Sequence, residues 1–427
     1  MAREYKDSGI EWIGQIPKEW EIGKVKNYYS LQTGFTPDTK NELYYDDNGA
    51  LWVNISDMGD SHYISNTKKK ISDYYISKFK PPIVPKGSLL YSFKLSVGTV
   101  AIAGEEMYTN EAIAAFLQKD GINLSFLYYS SQVCIIFNAN ENIYGAKLLN
   151  QDLINNATII FPPLAEQQKI ADYLDKVCGE VNEMTALQET MIEELKAYKQ
   201  SVITEAVTKG LNPNVPMRDS GIDWIGEIPE HWGKNKVCRM FKLIGSGTTP
   251  NSSEEEAFGG NINWIQSGDI NGGDLIESKN KITDKTLEKY SALTLYNAPF
   301  IIVAMYGASV GNISISRIDG CVNQACCVLS DSTVDFNYAF YTIKAAQKYL
   351  IYKAVGGGQP NISQFTLKQL WLPEPPISEQ RTIASYLDTK CSEIDALIAL
   401  KQAKIEELKE YKKSVIYEYV TGKKEVV

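Results

Sequence analysis

Asp7-Ser-Gly-Ile-Glu-Trp-Ile-Gly-Gln-Ile-Pro-Lys-Glu-Trp20 recurs as Asp219-Ser-Gly-Ile-Asp-Trp-Ile-Gly-Glu-Ile-Pro-Glu-His-Trp232. Ten of the fourteen positions are identical at an offset of 212 residues. An internal repeat of this length decides how the rest of the chain is read. Pro162-Pro-Leu-Ala-Glu-Gln-Gln-Lys-Ile-Ala-Asp-Tyr-Leu-Asp175 matches Pro375-Pro-Ile-Ser-Glu-Gln-Arg-Thr-Ile-Ala-Ser-Tyr-Leu-Asp388 at nine of fourteen positions, now at an offset of 213. Glu193-Glu-Leu-Lys-Ala-Tyr-Lys-Gln-Ser-Val-Ile203 matches Glu406-Glu-Leu-Lys-Glu-Tyr-Lys-Lys-Ser-Val-Ile416 at nine of eleven, again at 213. Between these blocks the likeness thins but keeps register. Gly34-Phe-Thr-Pro37 answers Gly247-Thr-Thr-Pro250, Ser96-Val-Gly98 answers Ser309-Val-Gly311, and Asn110-Glu-Ala112 answers Asn323-Gln-Ala325. A scaffold held twice with diverged filling predicts two like modules of different specificity.

Each half reads as a globular portion followed by a long helix. The expected boundaries are 1–160 and 216–373 for the globular portions, 161–215 for a central helix with its linker, and 374–427 for a C-terminal helix. Strand formers around Val97-Gly98 and Val310-Gly311 predict strand pairs within Gly87–Gly104 and Pro299–Ile318. The apolar run Ala298–Met305 reads as a buried strand, being too short to span a membrane. Leu124–Phe137 and Tyr338–Val355 read as amphipathic helices. Strands with few helices in mixed order predict an α+β class. Pro163 and Pro376 stop a strand and open a helix. In the first helix, Ile170, Leu174, Val177, Val181, Met184, Gln188, Met191, Leu195, Tyr198 and Val202 follow a heptad, with nine of the ten apolar or aromatic. The second helix offers Ile383, Leu387, Lys390, Ile394, Leu397, Lys401, Lys404, Leu408, Tyr411 and Val415, with Ile398 and Ile405 able to fill in. Gln188 and Lys401 are equivalent polar positions near the middle, read as exposed or as a register-fixing pair. Two matched seams predict a pseudo-two-fold, antiparallel coiled coil separating the two globular portions. At 1.5 Å per residue, each helix is about 70 Å long, roughly two turns of B-DNA.

The remaining composition narrows the chemistry. The chain has 427 residues, a net charge of -9, seven cysteines and two histidines. Its polar N-terminus suggests no signal peptide. An odd number of cysteines without CxxC spacing fits reduced thiols in the cytoplasm. Two distant histidines argue against a zinc centre and against Cys-His or Ser-His-Asp catalysis. There is no Walker A sequence and no Asn-Pro-Pro-aromatic or Asp-Pro-Pro-aromatic sequence. Gly356-Gly-Gly358 lacks a GxGxxG frame and reads as a flexible loop. No catalytic, cofactor-binding or metal-binding residue is therefore expected.

The binding signals are more local. From His62 to Lys94 there are seven lysines, one acid (Asp73) and six interleaved Tyr and Phe residues. Lys68, Lys69, Lys70, Lys78, Lys80 and Lys94 are the candidates for phosphate contact. A solvated face is the alternative. Asp274–Lys289 is balanced, with four lysines and four acids. Thr36 and Thr249 of the Gly-x-Thr-Pro loops, Gln266 of the polar stretch Asn261–Asn271, and Ser309 of the Ser-Val-Gly turn complete the set. The first long helix carries nine acids and five bases, a poor DNA surface and a plausible protein-docking one.

On its repeated Trp-Ile-Gly-x-Ile-Pro-x-x-Trp, Gly-x-Thr-Pro, Pro-Pro-x-x-Glu-Gln and Glu-Leu-Lys-x-Tyr-Lys-x-Ser elements, the chain resembles the specificity (S) subunits of type I restriction-modification enzymes over nearly its whole length. The three lysines on the second seam are its one mild departure. The resemblance implies two target recognition domains, each reading half of a split, asymmetric double-stranded DNA site, on helices that set the spacer. It implies two methyltransferase (M) subunits as partners, with restriction (R) subunits joining for cleavage. S-adenosylmethionine, ATP and Mg would serve those partners, which would flip and methylate adenine and translocate and cut DNA. A self-contained methyltransferase or nuclease, a coiled-coil scaffold and an orphan member of the family are the alternatives.

Overall fold

The computed structural model describes residues 3–59, 62–94, 96–118, 123–141, 147–354 and 360–426. The glycine run at 356–358 lies outside them. The chain forms two compact units, Met1–Gln188 with Ala403–Val427, and Glu189–Gln402. Each unit thus takes one globular head, the adjoining part of one long helix and the far part of the other.

The heads share one topology. The first has a five-stranded sheet in the order Tyr29–Thr33, Ile113–Gln118, Leu89–Ser92, Val100–Ala103, Tyr63–Ile64. The second repeats it as Phe241–Gly245, Cys326–Ser332, Phe300–Ala304, Ile313–Ser316, Asp274–Leu275. In both, the first four strands are antiparallel and the last joins in parallel. The strand pairs expected around the two Val-Gly turns are present. Phe300–Ala304 is buried at every position because both its faces are covered, Ile301 and Val303 entering one apolar cluster and Phe300, Ile302 and Ala304 another, which accounts for its unbroken apolar run.

A three-stranded sheet stands beside each larger one. Its long middle strand is Tyr45–Val53 in the first head and Phe258–Ile265 in the second. One neighbour is parallel, Tyr108–Thr109 or Gly320–Val322. The other is an antiparallel edge strand, Lys69–Ile71 or Asn280–Ile282, paired across a bulge in the middle strand. The two predicted amphipathic helices are Leu124–Cys134 and Phe336–Ala345, with a separate short helix Gln347–Tyr352 after the second.

Both Pro-Pro pairs release a strand and begin a helix. The strands Thr158–Phe161 and Trp371–Glu374 are followed by helices Leu164–Lys209 and Ile377–Val420. Gln167 Nε2 donates to the Pro162 carbonyl at 2.9 Å, and Gln380 Nε2 to that of Pro375 at 2.8 Å. The same side chains accept from the backbone of Asn123 and Asp335, the N-caps of the head helices. Gly210 and Gly422, both at positive φ, follow the two helices, the left-handed stop that glycine permits.

The heptad seam needs correction. Met184 and Tyr198 of the first helix are 53% and 58% exposed, and Leu397 and Tyr411 of the second 47% and 51%. Lys404 is exposed beside Glu407. The buried stripe runs through Ile170, Val181, Ile192 and Ile203, and through Ile383, Ile394, Ile405 and Ile416. These eight residues recur every eleven positions. Eleven residues at 3.67 per turn stay close to the natural 3.6, whereas a heptad drifts by about 20° per repeat. In the first unit Ile170, Ala171, Leu174 and Cys178 pack with Val415, Ile416 and Val420. In the second Ile203, Ala206 and Val207 pack with Ile383, Ala384, Leu387 and Cys391. The start of one helix meets the end of the other in each unit, so the pairing is antiparallel. Lys412 to Asn182 at 2.8 Å and Lys199 to Asp395 at 2.7 Å are the same cross-link made once per unit.

Candidate nucleic-acid interface

The Gly-x-Thr-Pro loops owe their glycine to crowding. A Cβ on Gly34 would strike the Thr109 carbonyl, and one on Gly247 the Val322 carbonyl. With the backbone drawn in, Trp52 Nε1 donates to the Phe35 carbonyl at 2.9 Å and Trp264 Nε1 to that of Thr248 at 3.2 Å. Each loop then places its threonine, exposed, against the Asn-x-Ala turn. Thr36 Oγ1 donates to the Glu111 carboxylate. Thr249 Oγ1 meets Gln324 Oε1 at 2.5 Å. The Thr36 hydrogen bond, with smaller contributions from the Glu111 backbone N–H and the charge of Lys94, holds the Glu111 carboxyl below its ordinary value.

A short capping turn lies beside this loop in each head. In the first, Asn54 and Asp57 form a capping box. In the second, Gln266 and Asp269 do so. The Asn110 backbone N–H donates to the Val53 carbonyl, and that of Asn323 to Ile265, both at 3.0 Å. Ser309 Oγ donates to the Ser267 carbonyl at 2.7 Å. Three of the second head's candidates, Thr249, Gln266 and Ser309, therefore lie on adjoining loops.

Of the three consecutive lysines, Lys69 and Lys70 open the edge strand of the smaller sheet and Lys68 directly precedes it. Lys68 Nζ reaches the Ser56 carbonyl at 3.0 Å, and its backbone N–H donates to Asp57 at 3.1 Å. Lys69 Nζ stands 5.3 Å from the centre of the Tyr45 ring, and Tyr45 Oη donates to the Pro37 carbonyl at 3.0 Å. Lys68, Lys69 and Lys70 thereby join the Thr36 loop. Lys78 leans over Tyr74 and Phe79 on the helix Asp73–Phe79, and Phe35 stacks on Tyr75 of that helix. Lys80 takes the left-handed conformation that ends it. Lys86 turns away to Glu105. Glu42, Asp46 and Asp47 line the groove that holds the three lysines, so the fold mixes charges that lie apart in the sequence.

Sequence reading missed the matching strand of the second head. Lys69 lies opposite Trp52, and Asn280 opposite Trp264. Lys70 thus corresponds to Lys281 and Lys68 to Lys279, at an offset of 211 that a fixed 213 conceals. One of the two one-residue deletions responsible lies in the bulge of the middle strand and the other between the capping turn and the strand after it, and only strand pairing restores the alignment. Glu111 and Gln324 were visible within the matched turns, but their bonds to threonine were not.

The closing tryptophans of the repeated motif, Trp20 and Trp232, face inward, whereas Trp12 and Trp224 are half-buried. Trp20 Nε1 donates to Glu166 at 3.0 Å, and Trp232 Nε1 to Glu379 at 2.9 Å. The ring of Trp20 meets Gly422 and that of Trp232 meets Gly210. Each ring thus bridges the start of one long helix and the end of the other. They fasten the head to the helix pair and expose nothing for recognition.

A family model for the type I restriction modification DNA specificity domain matches residues 17–197 and 229–410. The chain is 26% identical over 400 residues to the type I restriction enzyme MjaIX specificity subunit of Methanocaldococcus jannaschii, covering 88% of each protein. It is 22% identical over 418 residues to the EcoBI specificity subunit of Escherichia coli, covering 93% of this chain and 84% of that one. A chain from a solved type I R-M system, described for its complex assembly and conformational transition, superposes with a TM-score of 0.69. That match has 16% identity and covers 95% of this chain and 98% of the other. With the family model matched once in each half, and with the same framework built twice, the chain belongs to the type I restriction modification DNA specificity family.

Proposed function

We propose that this chain is the DNA-recognition subunit of a type I restriction-modification complex, and that each head reads one half of a bipartite, asymmetric duplex site. The observation that carries this is a shared framework with different exposed tips. Loop, capping turn and edge strand recur in both heads, while the first has Glu111 where the second has Gln324, and Lys69 where the second has Asn280. Positions alike in both heads serve general contact or scaffold. Positions that differ tell the half-sites apart.

The chain acts without catalysis of its own. Two methyltransferase subunits dock on the long helices, and restriction subunits join the assembly. S-adenosylmethionine, ATP and Mg belong to those partners. Exposed apolar side chains on the helices support docking: Met184 and Leu187 in the first unit, Tyr198, Leu397 and Leu400 in the second. Lys68, Lys70, Lys78, Lys80 and Lys94 contribute phosphate contacts, and Lys69, Thr36, Thr249, Gln266 and Ser309 lie at the groove. The cytoplasm suits this role. No helix among the described residues is long and apolar enough to cross a membrane.

The test is to express the chain with its methyltransferase partner and map methylated adenines in the host DNA. The expected outcome is a split motif with two dissimilar halves, and no methylation by either protein alone. Methylation by this chain alone would make it an enzyme. Methylation without sequence preference would leave it a scaffold.

A further inference from the structure

The edge strands of the smaller sheets are the same element in both heads, yet one position on them differs in chemistry. Lys69 and Asn280 share a register, each opposite the tryptophan of the middle strand. Both are exposed, and both strands are edges, with no further strand beside them among the described residues. The two side chains are held differently. Lys69 lies over the Tyr45 ring and offers only N–H donors. Asn280 Nδ2 donates to Gln266 Oε1 at 3.4 Å. The Gln266 backbone is held in its turn, its N–H donating to the Asp269 carboxylate and its carbonyl accepting from the Asp269 N–H, both at 2.9 Å. Gln266 is therefore fixed by its turn, and it orients the Asn280 amide.

Once so oriented, Asn280 keeps one N–H and its carbonyl oxygen unengaged among the described residues, on the exposed face. A donor beside an acceptor complements the major-groove edge of adenine, which presents N7 as acceptor and N6 as donor. A lysine ammonium in the same place complements guanine, whose O6 and N7 are both acceptors. Resting on the recognition role proposed above, we propose that Asn280, positioned by Gln266, determines specificity in the second head by reading an adenine. Lys69 fills the corresponding place in the first head and reads a guanine.

The experiment uses the full chain assembled with its methyltransferase partner, selecting from duplexes randomised across both half-sites. Wild type should prefer A·T at one position of one half-site by about tenfold or more. Asn280→Lys should move that single preference to G·C and leave the other half-site unchanged. Asn280→Ala should flatten it. In the first head, Lys69→Asn should exchange G·C for A·T at one position of the opposite half. An unaltered preference in Asn280→Lys overturns the proposal. So does an equal weakening at every position, which would make Asn280 structural. If wild type itself selects no sequence, the recognition role fails, and that result is distinct from failure of the Asn280 assignment.

Discussion

Trp20 and Trp232 were legible as important because they are written twice, but their task was not. A tryptophan in a loop motif reads equally well as a binding side chain. Their N–H bonds to Glu166 and Glu379 span 146 and 147 residues, and no local pattern encodes such a separation. His62 shows the same limit. From sequence it is an isolated histidine. In the fold it stacks on Tyr128 at 3.8 Å, with Nδ1 3.8 Å from Asp175 and Nε2 buried without a hydrogen-bond partner among the described residues. Burial lowers its pKa, Asp175 opposes that shift, and Lys412 adds to it. Tyr63, Tyr128 and Tyr129 also pack against the ring, Tyr129 bonded to Asp175 at 2.6 Å. A base whose folded pKa lies below its unfolded value of about 6.5 binds fewer protons when folded. Folding stability therefore falls as pH drops below about 6.5 and continues to fall until the folded pKa is passed. His62→Phe keeps the stacking and removes the proton. Its melting temperature should track wild type above pH 7 and fall less steeply between pH 6.5 and 5.5. Coincident profiles over that range would show that His62 does not couple folding to pH.

At the scale of elements, the sequence located the long helices well. Pro163 and Pro376 mark their starts to within a residue, because proline fits the opening of a helix and no later part of it. The strand pairs at the Val-Gly turns were equally plain. The seam was misread for a physical reason. Steps of four and three residues gather apolar side chains such as Met184 and Tyr198, and hydropathy cannot say that these face water. The eleven-residue spacing of Ile170, Val181, Ile192 and Ile203 was present in the sequence. It was masked because the two periods agree over the first turns and part only later. The two readings predict different mutants. Ile192 is 6% exposed, so Ile192→Ala should cost about 2–4 kcal/mol in urea unfolding. Met184→Ala, at a position 53% exposed, should change stability by no more than about 0.5 kcal/mol. Equal losses would restore the heptad.

On the scale of the whole chain, duplication made the architecture legible from one sequence, since each half served as the other's comparison. Charge did not have that advantage. A window from 62 to 94 looked basic, and the fold then set Glu42, Asp46 and Asp47 beside its lysines. The second head looked neutral, and the fold revealed Lys279 and Lys281 in the places of Lys68 and Lys70. Each unit has its own core and its own ties to the helices. In the second unit these are Trp232 to Glu379, Asp335 to Gln380, and Tyr341 to Asp388. A foreign segment that supplies the same three ties should seat in this unit without disturbing the packing of the first. On the proposed reading, replacing residues 216–373 alone with the corresponding segment of another family member should therefore change one half of the methylated site. The other half should stay as it was, because Lys69, Glu111 and their loops are untouched. The number of base pairs between the halves should also stay, because both long helices keep all of their own residues. Mapping methylated adenines in cells carrying the chimaera and its methyltransferase partner reads all three quantities at once. A change in both halves would mean that the heads do not read independently. A change in neither would place recognition outside 216–373.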